Sequence, residues 1–198
     1  METMFTEYPR LVFRISPQKT EMFTSLLQAG VQMDTTRGCP IGVFLEAIPG
    51  FTAEYITDQV QTIFLNGTAT DDLETPLEGK APVLAISAAM PGLAGAIFRR
   101  NSLHAALRTT KEKRETTADS AQITVTLKLF NAIARDRGLT LLERGITIKA
   151  ESVCKFLETR TTLIDCIGNI SFEKATVRPE ELLTLLSTLN SVHLSIIH

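Results

Sequence analysis

Cysteine is scarce in this chain. Cys39, Cys154 and Cys166 are the only three, widely spaced and with no Cys-x-x-Cys among them. An odd number at such spacing excludes a disulfide framework and reads as free thiols in a reducing compartment. Histidine is equally sparse. His104, His193 and His198 show no His-x-x-x-His or Cys–His spacing, so no metal site is expected. Asp71, Asp72 and Glu74 fall in an expected loop, without the alternate-position ligands of a calcium site. Phosphate-loop, dinucleotide and catalytic-triad signatures are all missing, and no motif calls for a cofactor. Met1-Glu2-Thr3-Met4-Phe5 lacks a positive region followed by an apolar stretch. No signal peptide is therefore expected, and a cytoplasmic location is.

Charge of either sign is low. The net charge of −2 argues against bulk attraction to nucleic acid. Long hydrophobic runs are nearly absent as well. The exception, Ala81 to Phe98, carries no charge but is rich in alanine and interrupted by Pro82 and Pro91-Gly92. That pattern favours a buried strand followed by a loop and helix over a membrane span.

What the chain does have is an echo. Leu11-Val12-Phe13-Arg14-Ile15 returns as Val125-Thr126-Leu127-Lys128-Leu129. Leu26-Leu27-Gln28-Ala29-Gly30-Val31 returns as Leu141-Leu142-Glu143-Arg144-Gly145-Ile146, and Phe44-Leu45-Glu46 as Phe156-Leu157-Glu158. The echoes keep their order at a spacing of roughly 112 to 115 residues, which points to two related domains. Hydrophobic content of 44% is enough for packed cores.

Periodicity places strands at Leu11–Ile15, Val31–Met33, Val60–Leu65 and Val83–Ser87, with helices at Glu21–Ala29, Pro40–Ile48 and Ala96–Arg108. Asn66-Gly67 is a tight-turn signal. Thr109 to Ala121 is polar and has no apolar side chain larger than alanine, so it reads as a linker. Strands are then expected at Ile123–Phe130, Ile146–Lys149 and around Val192–Ile196. Helices are expected at Ala132–Arg137, Ser152–Thr159 and from Pro179 to Leu189. A turn is signalled at Gly168-Asn169. The expected domains are 1–108, with a basic C-terminal helix, and 122–198, joined by 109–121. A lone helix lying across a mixed sheet is the natural way to bury each half, giving an α+β fold.

The stretch Ile63-Phe64-Leu65-Asn66-Gly67, then Asp72-Leu73-Glu74-Thr75-Pro76-Leu77-Glu78-Gly79-Lys80, then Val83-Leu84-Ala85-Ile86, resembles the later part of the small sulfur-carrier proteins. These are the small subunit of molybdopterin synthase and the thiamine sulfur carrier. In that family a strand ends in Asn-Gly, a polar loop with a Pro-Leu pair follows, and the last strand runs into a glycine-rich tail. Met33 to Ile48 is similar to the family's strand-then-helix segment. The resemblance covers about residues 11–95 and implies a β-grasp, ubiquitin-like fold, twice over if the echo is a duplication. A sulfur carrier uses a free C-terminal Gly-Gly, whereas Gly92 and Gly95 are internal here and the sequence ends Ile196-Ile197-His198.

Two segments stand out as candidate sites. The first is Met90-Pro91-Gly92-Leu93-Ala94-Gly95, where small residues permit close approach of backbone or ligand. The second is the basic run Arg99, Arg100, His104, Arg108, Lys111, Lys113 and Arg114. On a helix, Arg100, His104 and Arg108 would share a face suited to an acidic partner or phosphates. No aromatic residue interleaves them, which weakens single-strand nucleic-acid binding. With the Asn66-Gly67 turn, these residues lead to the expectation of a non-catalytic module that binds a protein partner or a small ligand. A homodimer is compatible with the same surfaces. A carrier role, or an enzyme with anion-binding groups Arg99, Arg100 and His104, are the alternatives.

Overall fold

The protein is α+β, with mixed β-sheet and helices packed on it. The structure, a computed structural model, describes residues 8–90, 92–103 and 121–198. The strands are β1 (Arg10–Ile15), β2 (Val31–Thr36), β3 (Thr62–Leu65), β4 (Thr68–Ala69), β5 (Val83–Ser87), β6 (Gln122–Phe130), β7 (Ile146–Lys149), β8 (Ile167–Phe172), β9 (Ala175–Thr176) and β10 (Ser191–Ile197). The helices are α1 (Ile41–Glu46), α2 (Ala53–Gln59), α3 (Gly92–Phe98), α4 (Asn131–Arg144), α5 (Ala150–Glu158), α6 (Thr161–Ile164) and α7 (Pro179–Ser187), with a 3-10 helix at Pro17–Gln28.

The chain forms two compact units. A central unit is built from Leu27–Gly138, and a terminal unit from the chain up to Leu26 together with Leu139–His198. Thus β1 lies with the strands that follow Leu139, and β6 lies with the strands that precede it. The expected linker falls outside the described residues except for Ala121.

In the central unit the strands run β2-β6-β5-β3-β4. β6 is antiparallel to β2 and parallel to β5, and β3 is antiparallel to both β5 and β4. One face is sealed by α1, α2 and the start of α4, which bury Ile41, Phe44, Leu45, Ile56 and Ile133 against Ile63, Leu84, Ile86, Val125 and Leu127. Each such side chain contributes about 1.5–3 kcal/mol on burial. α2 was not expected from periodicity. Thr52 caps it by accepting a hydrogen bond from the Tyr55 N–H at 3.1 Å.

In the terminal unit the order is β7-β10-β1-β8-β9. Leu11, Phe13, Ile15, Ile146, Ile148, Val192, Leu194 and Ile196 face inward and are almost fully buried. Phe23 of the 3-10 helix closes this core between Phe13 and Phe156, with ring centroids 6.2 and 5.6 Å away. Pro179 opens α7, and the Glu181 carboxylate accepts from the Arg178 N–H at 3.2 Å.

The two sheets match pair for pair. Leu65↔Leu84 and Ile63↔Ile86 in the central unit correspond to Phe172↔Leu11 and Ile170↔Phe13 in the terminal one. Val83↔Thr126 corresponds to Arg10↔His193, and Val31↔Leu127 to Ile146↔Leu194. The tight turns match as well. Asn66-Gly67 and Glu173-Lys174 both take positive φ at both positions. The Asn66 N–H donates to the Val83 carbonyl at 2.8 Å and its Oδ1 accepts from the Val83 N–H at 2.9 Å. The Glu173 N–H donates to the Arg10 carbonyl at 2.9 Å, and its carboxylate accepts from the Arg10 N–H.

Three expected features differ. Gly168-Asn169 is not a turn; it lies within β8, beside the register shift at Arg14/Ile15, where a glycine suits a bulge. Helix α4 does not stop before Gly138 but continues to Arg144, because Leu141 and Leu142 are buried one turn later. Helix α3 covers Gly92–Phe98 rather than starting at Ala96, and residues 99–103 are not helical.

Candidate functional site

The candidate residues that the structure describes all lie in the central unit. Pro91 and His104 lie outside the described residues. Alternation in Val83–Ser87 buries Leu84 and Ile86 and carries the chain to Met90. Gly92 opens α3 with φ of 76°, in the left-handed region that favours glycine. Gly95 lies against the Met90 carbonyl so closely that a β-carbon would sit 1.8 Å from its oxygen. The small residues thus serve a tight strand-to-helix connection, and Gly92 and Gly95 are held within α3.

That helix is fixed to the sheet by its end. The Phe98 ring packs on Phe64 of β3, centroids 5.2 Å apart. The Arg100 N–H donates to the Gln61 carbonyl at 2.7 Å. Its guanidinium Nη1 donates to the Val60 and Ile56 carbonyls, at 3.0 and 3.3 Å, satisfying the C-terminal end of α2. Burial lowers the Arg100 pKa, and the charge of Asp71 opposes that shift. Asp71 also accepts from the Asn101 N–H at 3.0 Å, where Asn101 takes φ of 54°. Arg100 is therefore a clamp on α2 rather than a presented anion-binding group. Asn66 and Gly67 are likewise committed to the β3–β4 turn.

The residues this anchored segment presents are different ones. Leu93 is 73% exposed, Leu103 is 99% exposed, and Arg99 is exposed between them. Sequence reasoning singled out the glycines and the charges and passed over the leucines. A leucine beside a basic run was the available signal. The strand edges offer less. β4 and β9, at the ends of the two sheet orders, are two residues long each and present few backbone groups.

In the central unit the Arg137 guanidinium stacks 3.8 Å from the Tyr55 ring centroid, and Phe51 meets Tyr55 edge-on at 5.5 Å. Burial, then Asp136, raises the Tyr55 pKa. In the terminal unit a wide-mouthed groove of about 410 Å³ is lined by Thr161, Thr162, Asp165 and Glu180 among others. Burial raises the Cys154 pKa, reinforced by Glu158 and Glu151, the reverse of what a nucleophilic thiol requires. Among the described residues, no three metal-ligating side chains come together. No described helix is long and apolar enough to cross a membrane. Compared with protein-family models, with curated proteins and with solved structures, the chain matches none of them.

Proposed function

We propose that this protein is a non-catalytic interaction module, composed of two β-grasp-like units that descend from one duplicated ancestor. It holds an acidic protein partner on the surface of α3 and the segment that follows. The exposure of Leu93 and Leu103, on a segment tied down by Arg100, Asn101 and Phe98, carries the reading. A rigidly held, exposed apolar pair flanking the exposed Arg99 suits a partner with apolar anchors and negative charge. The pairwise match of the two sheets supports the duplication.

Affinity capture with the full chain tests the function. The wild type is expected to recover a stable acidic partner, and Leu93→Ser, Leu103→Ser or Arg99→Glu to lose it while keeping thermal stability. A wild-type chain that recovers no stable partner and remains a monomer would sink the proposal. Intact mass from cells is the companion measurement. A fragment ending at Gly92 or Gly95 would replace the interaction role with a carrier role.

A further inference from the structure

The paired registers allow the outer faces of the two sheets to be compared position by position. In the central unit, outward positions include Val83, Ser87, Thr126 and Asp34. Phe98 of α3 packs on this face against Phe64. The corresponding positions in the terminal unit are Arg10, Arg14, His193 and Lys149. Each of these four exchanges moves the face toward positive charge or a titratable base, while a fifth, Lys128 to Ser195, removes one cation. Arg10, Arg14 and Lys149 are exposed, against near-complete burial of the inward residues of the same strands. Around them lie Thr147, Ser195, Ser171 and Asn169. Among the described residues two acids border it: Glu173, with its carboxylate on the Arg10 N–H, and Glu143, on the ring of the His198 that Arg14 holds. Arg14 is oriented by donating to the His198 carbonyl at 2.8 Å.

We infer that this face of the terminal unit binds the phosphodiester backbone of nucleic acid, without reading its sequence. The face combines cationic groups with hydroxyl and amide donors, which are the groups that contact phosphate and sugar. Its apolar members are only Val12 and Ile197, too few for the core of a protein–protein interface. Base stacking is not part of the design, because no Phe, Tyr or Trp is among the outward residues of β1, β7 and β10. Arg10 and Arg14 are four residues apart on one strand, a separation of about 13 Å. Fixed cations at that spacing suit a regular polyanion. Four of the eight described acids of the terminal unit lie on α5 and α7 rather than on the strands of this face.

The test is fluorescence anisotropy of the full chain with labelled mixed-sequence duplexes of about 20 base pairs, in DNA and RNA forms. Three phosphate contacts predict a log–log salt slope of about −2.7, so raising salt from about 50 to 200 mM should weaken binding about 40-fold. Arg14→Gln and Lys149→Gln should each weaken binding and reduce the slope by about one. Lys149 is exposed at the end of its strand, so its variant remains informative should Arg14→Gln impair folding. Arg99→Gln should leave duplex binding unchanged, which separates this face from the α3 surface. The inference is overturned by no binding to either duplex at the lower salt. Affinity indifferent to salt, or to both variants, would overturn it too. So would polyglutamate binding the face more tightly than either duplex, which would make the partner an acidic protein.

Discussion

Gly145 and the His193 ring are pressed together. A β-carbon on Gly145 would lie 2.3 Å from His193 Nε2, and the glycine takes φ of +94°. The central unit repeats the contact, with Gly30 at φ +115° and a β-carbon position 2.5 Å from Thr126 Cγ2. Gly145→Ala should therefore destabilise the protein by about 2 kcal/mol or more, from backbone strain and collision together. Adding His193→Ala should recover the collision and leave about 1–2 kcal/mol of backbone cost. Urea unfolding of the two variants would settle the split. Equal stability of Gly145→Ala and wild type would remove the contact from the account.

The two described histidines should pull stability in opposite directions with pH. Burial, with help from Arg10, lowers the His193 pKa. The unfolded chain then binds more protons than the folded one, so stability falls as pH drops below the ordinary histidine value near 6.5. His198 is raised, first by its hydrogen bond with the Ile15 carbonyl and then by that with Glu143. Its contribution is full below about 6.5 and is lost as pH rises through the higher folded value. His193→Asn should flatten the acid-side loss, and His198→Asn should lower thermal stability at pH 5 but not at pH 8. A pH profile unchanged by both variants would contradict the assignment.

Arg100 and Leu103 lie three residues apart and should behave differently. Arg100→Ala breaks two hydrogen bonds, to carbonyls of α2 and of the Val60 that follows it, and should cost about 1–2 kcal/mol, the partly exposed setting reducing the full effect. Leu103→Ser removes a side chain that is 99% exposed and should change stability by less than about 0.5 kcal/mol. Chemical denaturation distinguishes them. A large loss in Leu103→Ser would mean the side chain is covered in solution.

The β3–β4 turn offers a local check. Gly67 takes φ of 78°, and Asn66 Oδ1 holds the first residue of β5. Gly67→Ala should cost about 1 kcal/mol. Asn66→Ala should cost about 1–2 kcal/mol, because it leaves the Val83 N–H without its acceptor. Hydrogen exchange at the Val83 amide should accelerate in Asn66→Ala and stay slow in Gly67→Ala.

Alternation and turn chemistry made much of the chain legible. Val83–Ser87 and Ile146–Lys149 have the expected bounds, and Asn66-Gly67 is the expected turn. Where the reading went astray, longer-range packing outweighed a local signal. Gly138 is carried through α4 by the buried Leu141 and Leu142. Gly168 is absorbed into β8 by pairing with β1, a strand some 150 residues away in sequence. Glu173-Lys174 carried no glycine to betray a turn with positive φ. Arg100 was read as a presented charge because no sequence pattern reveals that carbonyls of α2 and of Val60 await its guanidinium. The echo of Val31 in Ile146 agrees with the register match of β2 and β7, but β1, which holds Leu11–Ile15, matches β5 rather than the strand of its echo Val125–Leu129, since register depends on contacts between segments that periodicity treats separately.

The placement of β1 has a consequence for biogenesis. It leaves the ribosome some 150 to 190 residues ahead of β8 and β10, the strands with which it pairs. At about 5–20 residues per second, Leu11, Phe13 and Ile15 wait roughly 10–40 seconds for the segments that cover them. During that interval the nascent chain carries an apolar, β-prone stretch with no mate. A holdase, or slow release of the N-terminal arm, would be expected to govern the yield of this protein in cells.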